Sequence, residues 1–101
     1  MIRPLKLLDE EIRRLVEIEF EMARKGIPSF KGAGQGEFRI QYNIKNENDF
    51  ALGWAIGSIQ SGFLLHYYGK FNKLPTGEEE MEMVAMLKKK AKELQDFCNA
   101  V

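Results

Sequence analysis

The chain has 101 residues, enough for one domain, and its 15 basic and 15 acidic side chains cancel to a formal net charge of zero. This balance argues against DNA or RNA as a partner, because nucleic-acid binding depends on an excess of Lys and Arg. The single cysteine, Cys98, excludes an internal disulfide. Because the first ten residues also lack the apolar run of a secretory signal, we expect a cytoplasmic protein.

The first predicted helix covers about residues 9–25. Asp9 is a suitable N-cap, and Gly26 followed by Pro28 indicates the end of the helix. Glu19 falls in the middle of the apolar face, where an unpaired carboxylate would be costly. Two explanations are open: Glu19 forms a local salt bridge, or it is a functional carboxylate in a polar pocket.

A short strand is predicted over about residues 37–45, after the glycine-rich segment 31–36. Its apolar residues alternate with polar ones and share one face: Phe38, Ile40, Tyr42 and Ile44. Three strand partners are open: residues 27–30, the N-terminal lead-in, or the same strand of a second subunit. The glycine-rich segment is interpreted as a flexible hairpin connection or a flap, and its Lys31 is a candidate ligand-binding residue.

The second helix is predicted over about residues 48–68, capped by Asn46 or Asn48, and it has no charged residue from 50 to 68. Its apolar residues point in every direction, which is typical of a helix buried on all sides. Its polar residues and glycines argue against a membrane span. Small residues recur at intervals of four: Gly53, Gly57 and Ser61. This pattern predicts close pairing with another helix, in the same chain or a second one, or space for a bulky side chain.

Two polar residues of this helix need separate interpretation. Gln60 lies among apolar residues and so requires a hydrogen-bond partner, for which Glu19 of the same chain or of a second subunit is a candidate. His66, the only histidine, is interpreted as structural, because one histidine without a nearby cysteine or second histidine is a poor metal-site signal. Gly69 is expected to end the helix.

The third helix is predicted over about residues 77–99, where Thr76 and Glu79 form a capping box. Its methionines fill the core or form an adaptable binding surface: Met81, Met83 and Met86. The sequence thus predicts a single all-α domain over residues 1–101, with one short strand or hairpin between the first two helices. Two surface helices cannot cover a rod that is apolar all round, so we expect a homodimer or higher oligomer, with the bundle completed by dimerisation.

Two segments resemble the all-α nucleoside-triphosphate pyrophosphohydrolases of the MazG type. These are LVEIEFEMARKG, residues 15–26, and Asn46-x-x-Asp49 at the start of the buried helix. That family binds magnesium through acidic motifs on two helices and is oligomeric. The resemblance implies Mg²⁺ bound by Glu19 and Asp49, with Glu17 or Glu21 as alternatives to Glu19. It also implies a nucleotide as ligand, with Lys31 or Lys70 in contact with its phosphate. Gln60 is a further candidate ligand-binding residue. It assigns no catalytic residue.

A second hypothesis is a non-catalytic module that binds a partner protein or regulates one. The methionine-rich start of the third helix, or the exposed edge of the predicted strand, would then form the binding surface.

Overall fold

The computed structural model describes residues 7–33 and 36–101, and these residues form four helices and no strand. The helices are α1 (Glu10–Ala33), α2 (Glu37–Gln41), α3 (Glu47–Phe71) and α4 (Gly77–Ala100). The all-α class predicted from the sequence is therefore confirmed. The predicted N-terminal lead-in lies mostly outside the described residues.

The long helices form a three-helix arrangement in which α1 and α4 both pack on α3 and touch each other more lightly. Residues that come later in α1 contact residues that come later in α4. Arg13 pairs with Glu82 near one end, and Lys90 lies 4.7 Å from the Phe20 ring centroid further along. The two helices are therefore parallel, and the side chains between them and α3 form one core: Leu8, Ile12, Val16, Phe20, Ala23, Ile27, Ala51, Ala55, Ile59, Phe63, Tyr67, Met83, Leu87, Leu94 and Cys98.

The end predicted for α1 at Gly26 is wrong, because the helix continues through Pro28 to Ala33. Proline inside a helix costs about 3 kcal/mol through a lost hydrogen bond and a clash with the preceding turn. Packing against α3 offsets this cost: the Phe30 ring stacks on Trp54, with ring centroids 4.0 Å apart. Gly26 provides the space for that tryptophan, since a Cβ here would lie 2.4 Å from Trp54 Cη2.

The predicted strand over residues 37–45 is also wrong, because residues 37–41 form the short helix α2. The chain then turns through Asn43, which adopts a left-handed conformation with φ of 54°. A strand needs a neighbour for its backbone groups, and residues 27–30 are part of α1. Ile40 is 84% exposed, so the alternation does not mark a buried face.

The helix starts that were predicted from capping residues are found in the structure. Asn46 accepts a hydrogen bond from the Asp49 backbone N–H and caps α3, and Thr76 with Glu79 forms the predicted capping box of α4. The end predicted for α3 at Gly69 is wrong, because the helix continues to Phe71. Its C-cap is Asn72, which is left-handed with φ of 56°. Caps are local signals, so they can be identified from a few neighbouring residues.

Tyr67 joins the end of α3 to the start of α4. Its hydroxyl donates a hydrogen bond of 2.7 Å to Glu79 Oε1. Burial acts to raise the pKa of Glu79, but hydrogen bonds from Thr76 and Tyr67 outweigh it and the pKa is lowered. The same carboxylate therefore caps α4 and holds the loop between the two helices.

Candidate functional site

Glu19, the misplaced carboxylate of α1, pairs with His66 of α3. Glu19 Oε1 lies 3.0 Å from His66 Nε2, and the glutamate side chain is 22% exposed. The pair resolves the apparent cost of an acid on an apolar face, because the carboxylate has a partner and retains some contact with water. This geometry supports the local salt-bridge explanation of Glu19.

Gly62 makes this pairing possible by letting the Glu19 side chain cross the surface of α3. A Cβ at Gly62 would lie 2.5 Å from Glu19 Cδ, closer than real Cβ contacts allow. Gly62 is four residues before His66, so the two occupy the same side of the helix. A carboxylate therefore lies between α1 and α3 at the side of a shallow groove lined by Glu19, Gly53, Trp54, Gly57, Ser58, Ser61, Gly62 and Leu65.

The outer side of α3 lies along this groove and is exposed to solvent. A Cβ built at Gly53 or at Gly57 meets no atom within 4 Å, and Leu65 is 74% exposed. We call this surface the open face, and define it as Gly53, Gly57, Ser61, Leu64, Leu65 and Tyr68. Large apolar residues here lie at the C-terminal end of α3, whereas the glycines lie towards its N-terminal end.

Two apolar residues of α1 close to Glu19 in the chain are also exposed. Ile18 is next to Glu19 in the chain, and Met22 is about one helical turn after it. Both side chains are exposed.

The candidate magnesium ligands Glu19 and Asp49 do not meet within one chain. Glu19 lies over Gly62, and from Asp49 to Gly62 the helix rises about 20 Å at about 1.5 Å per residue. A single ion requires ligands within about 2–2.6 Å of itself, so these two carboxylates cannot share one in the same chain.

The candidate ligand-binding residue Gln60 is exposed and lies beside α4 in a cleft that also contains Glu80, Met83 and Val84. Its suggested pairing with Glu19 is not present, because Glu19 pairs with His66. Gln60 and the groove beside Glu19 are therefore separate features of α3.

Lys31, the other candidate ligand-binding residue, has a structural role. Its Nζ donates a hydrogen bond of 2.7 Å to the carbonyl oxygen of Cys98 and another to the carbonyl oxygen of Val101. Carbonyl groups at the end of a helix lack partners within the helix, so Lys31 satisfies two of them for α4. Residues 34 and 35 of the glycine-rich segment lie outside the described residues.

Sequence reasoning missed Gly62 and the pairing of His66 with Glu19. The available signal was a glycine four residues before the only histidine, on a helix that had to accommodate an acid from its neighbour. Recognising this signal requires knowing how α1 and α3 align along each other. The sequence of neither helix gives that alignment by itself. Leu65 was also missed, because it was counted as part of a buried rod.

Across residues 7–33 and 36–101, no three His, Cys, Asp or Glu side chains come together in a group that could hold a metal ion. Nor does this part of the chain contain a helix with the length and apolar character needed to cross a membrane.

The class that these features define is an all-α protein built from three long helices. Comparison with family models, curated proteins and solved structures finds no match to this chain. The resemblance to MazG-type pyrophosphohydrolases thus rests on the two sequence segments alone.

Proposed function

We propose that this protein is a small interaction module that associates with a second copy of itself through the open face of α3. The observation that carries the proposal is the solvent-exposed side of α3. On that side the glycines are not covered by other side chains and the leucines are exposed, although α3 is the most apolar segment of the chain. Burying this surface against a second copy would remove it from water and stabilise the assembly.

This surface differs from the two that the sequence suggested for an interaction module. The strand edge does not exist, because residues 37–41 are helical. Among the methionines at the start of α4, Met83 is buried and Met86 packs against the core, which leaves only Met81 exposed at 73%. The open face has three large apolar residues that are exposed, Leu64, Leu65 and Tyr68, whereas the start of α4 exposes one methionine.

Two features of the protein are compatible with a reducing compartment such as the cytoplasm. Cys98 is free and buried at the end of α4. The core is built from apolar side chains and does not depend on a disulfide.

Thermal unfolding at different protein concentrations tests self-association. A folded chain that dimerises is stabilised by mass action, so Tm should rise by several degrees over about a hundredfold increase in concentration. Circular dichroism at 222 nm reports the transition. A Tm independent of concentration over that range would contradict the proposal.

The magnesium-dependent pyrophosphohydrolase suggested by the resemblance is the alternative proposal. We place it second because Glu19 and Asp49 are far apart within one chain and Lys31 is bound to the end of α4. Its direct test is pyrophosphate release from a panel of nucleoside triphosphates with magnesium. Turnover that is lost in Glu19→Gln, while the variant stays folded, would move this alternative to first place.

A further inference from the structure

The open face of α3 has a raised half and a recessed half. Leu64, Leu65 and Tyr68 project from the C-terminal half and are exposed. In the N-terminal half, Gly53 and Gly57 have no side chain and line the shallow groove beside Glu19, and we call this part of the groove the depression.

The difference in shape between the two halves determines which orientation of two copies gives a closely packed interface. In a parallel pair, the leucines of both copies meet at one end and the glycines leave a gap at the other. In an antiparallel pair, each raised half lies against the depression of the other copy. Close-packed interfaces avoid gaps, because atoms that line a void lose their van der Waals contacts.

The helix dipole favours the same orientation. The backbone of α3 carries the positive end of its helix dipole at Glu47 and the negative end at Phe71. An antiparallel pair places the positive end of each helix dipole beside the negative end of the other, whereas a parallel pair places like ends together.

We propose that two copies pair antiparallel along α3, with Leu65 of each copy packed into the depression over the partner subunit's Gly53 and Gly57. This inference rests on the proposed self-association and adds its orientation and register. Ser61 then lies opposite the partner subunit's Gly57, where both side chains are small enough for the two helices to approach closely.

Spin labels at the two ends of α3 test the orientation. Asp49→Cys and Gly69→Cys place labels at exposed positions, and a Cβ at Gly69 has no atom within 4 Å. The native Cys98 should stay unlabelled, because it is buried and burial raises the pKa of its thiol. Along α3 the two labelled positions are about 30 Å apart, at about 1.5 Å per residue.

Pulsed dipolar spectroscopy on three samples gives the result. In the antiparallel dimer, chains labelled only at residue 49 or only at residue 69 should give distances of about 30 Å, and an equal mixture of the two should add a much shorter distance. The reverse pattern would show a parallel pair and overturn the inference while leaving self-association intact. A dimer that gives neither pattern would also overturn it.

The absence of any dipolar coupling, together with a monomeric mass, would instead refute the proposed self-association itself. Helicity equal to that of the unsubstituted chain is the control for folding. The Gln60→Cys variant provides a second labelled position, since Gln60 is exposed close to the middle of α3. Its two labels should lie close together in a dimer of either orientation, so they report pairing along α3 only. Each end variant on its own distinguishes the two orientations, which keeps the test available if one of them does not fold.

Discussion

Replacing Leu65 with aspartate is expected to weaken the dimer by about thirtyfold or more, because it removes buried apolar surface and places an unpaired carboxylate in the interface, at a cost of about 2 kcal/mol or more. The side chain is 74% exposed in the single chain. The folded monomer should therefore tolerate the change, and the loss should appear in association. Light scattering across a dilution series measures the change in dissociation constant.

Met81→Asp is the matched control, since Met81 is also a long apolar side chain and is 73% exposed. It lies on α4, two residues before the buried Met83, and therefore points away from the core and from α3. This variant should dimerise as the unsubstituted chain does. If Leu65→Asp and Met81→Asp behave alike, the open face is not the interface.

Gly26→Ala is expected to lower the free energy of unfolding by about 1–3 kcal/mol, the usual cost of overpacking a core. The new Cβ would lie 2.4 Å from Trp54 Cη2. The indole cannot move away freely, because it is stacked on Phe30 at 4.0 Å between centroids. Chemical denaturation at a fixed protein concentration measures the change.

Gly32→Ala in the same helix is the control for the helix propensity of alanine. Gly32 is exposed, and a Cβ there meets no atom within 4 Å. This variant should be more stable than the unsubstituted chain by about 0.4–1 kcal/mol, because alanine restricts the unfolded chain and favours a helix. Stabilisation by Gly26→Ala of similar size would show that the contact between Gly26 and Trp54 is wrong.

The elements that could be predicted from the sequence are those set by neighbouring residues. The capping box of Thr76 and Glu79 marks the start of α4, and Asn46 marks the start of α3. The end of α1 could not be predicted in this way, because Gly26 and Pro28 are strong local stop signals. Burial against Trp54 overrides them, and that contact joins residues far apart in the chain.

The same distinction applies to the candidate site. The position of Glu19 on an apolar face was visible from helical periodicity, but its partner depends on how α1 aligns with α3. The structure aligns it with His66 instead of Gln60. Lys31 shows the same effect, because its acceptors at the end of α4 are 67 and 70 residues away in sequence. Composition around Lys31 suggested a mobile loop, whereas tertiary contact makes it a helix cap.

The hypothesis of a metal-dependent hydrolase depends on bringing distant carboxylates together. Within one chain, the rise of α3 keeps Glu19 and Asp49 about 20 Å apart. Self-association depends on a surface that one chain already presents in full. The open face is therefore the feature on which the functional proposal is based.

Sedimentation equilibrium of the unsubstituted protein tests the central proposal most directly. One chain has a mass of 11.7 kDa. We predict a species of about twice that mass, which dissociates on dilution as a reversible dimer does. A single species of 11.7 kDa at every concentration tested would contradict the proposal that a second copy covers the open face of α3.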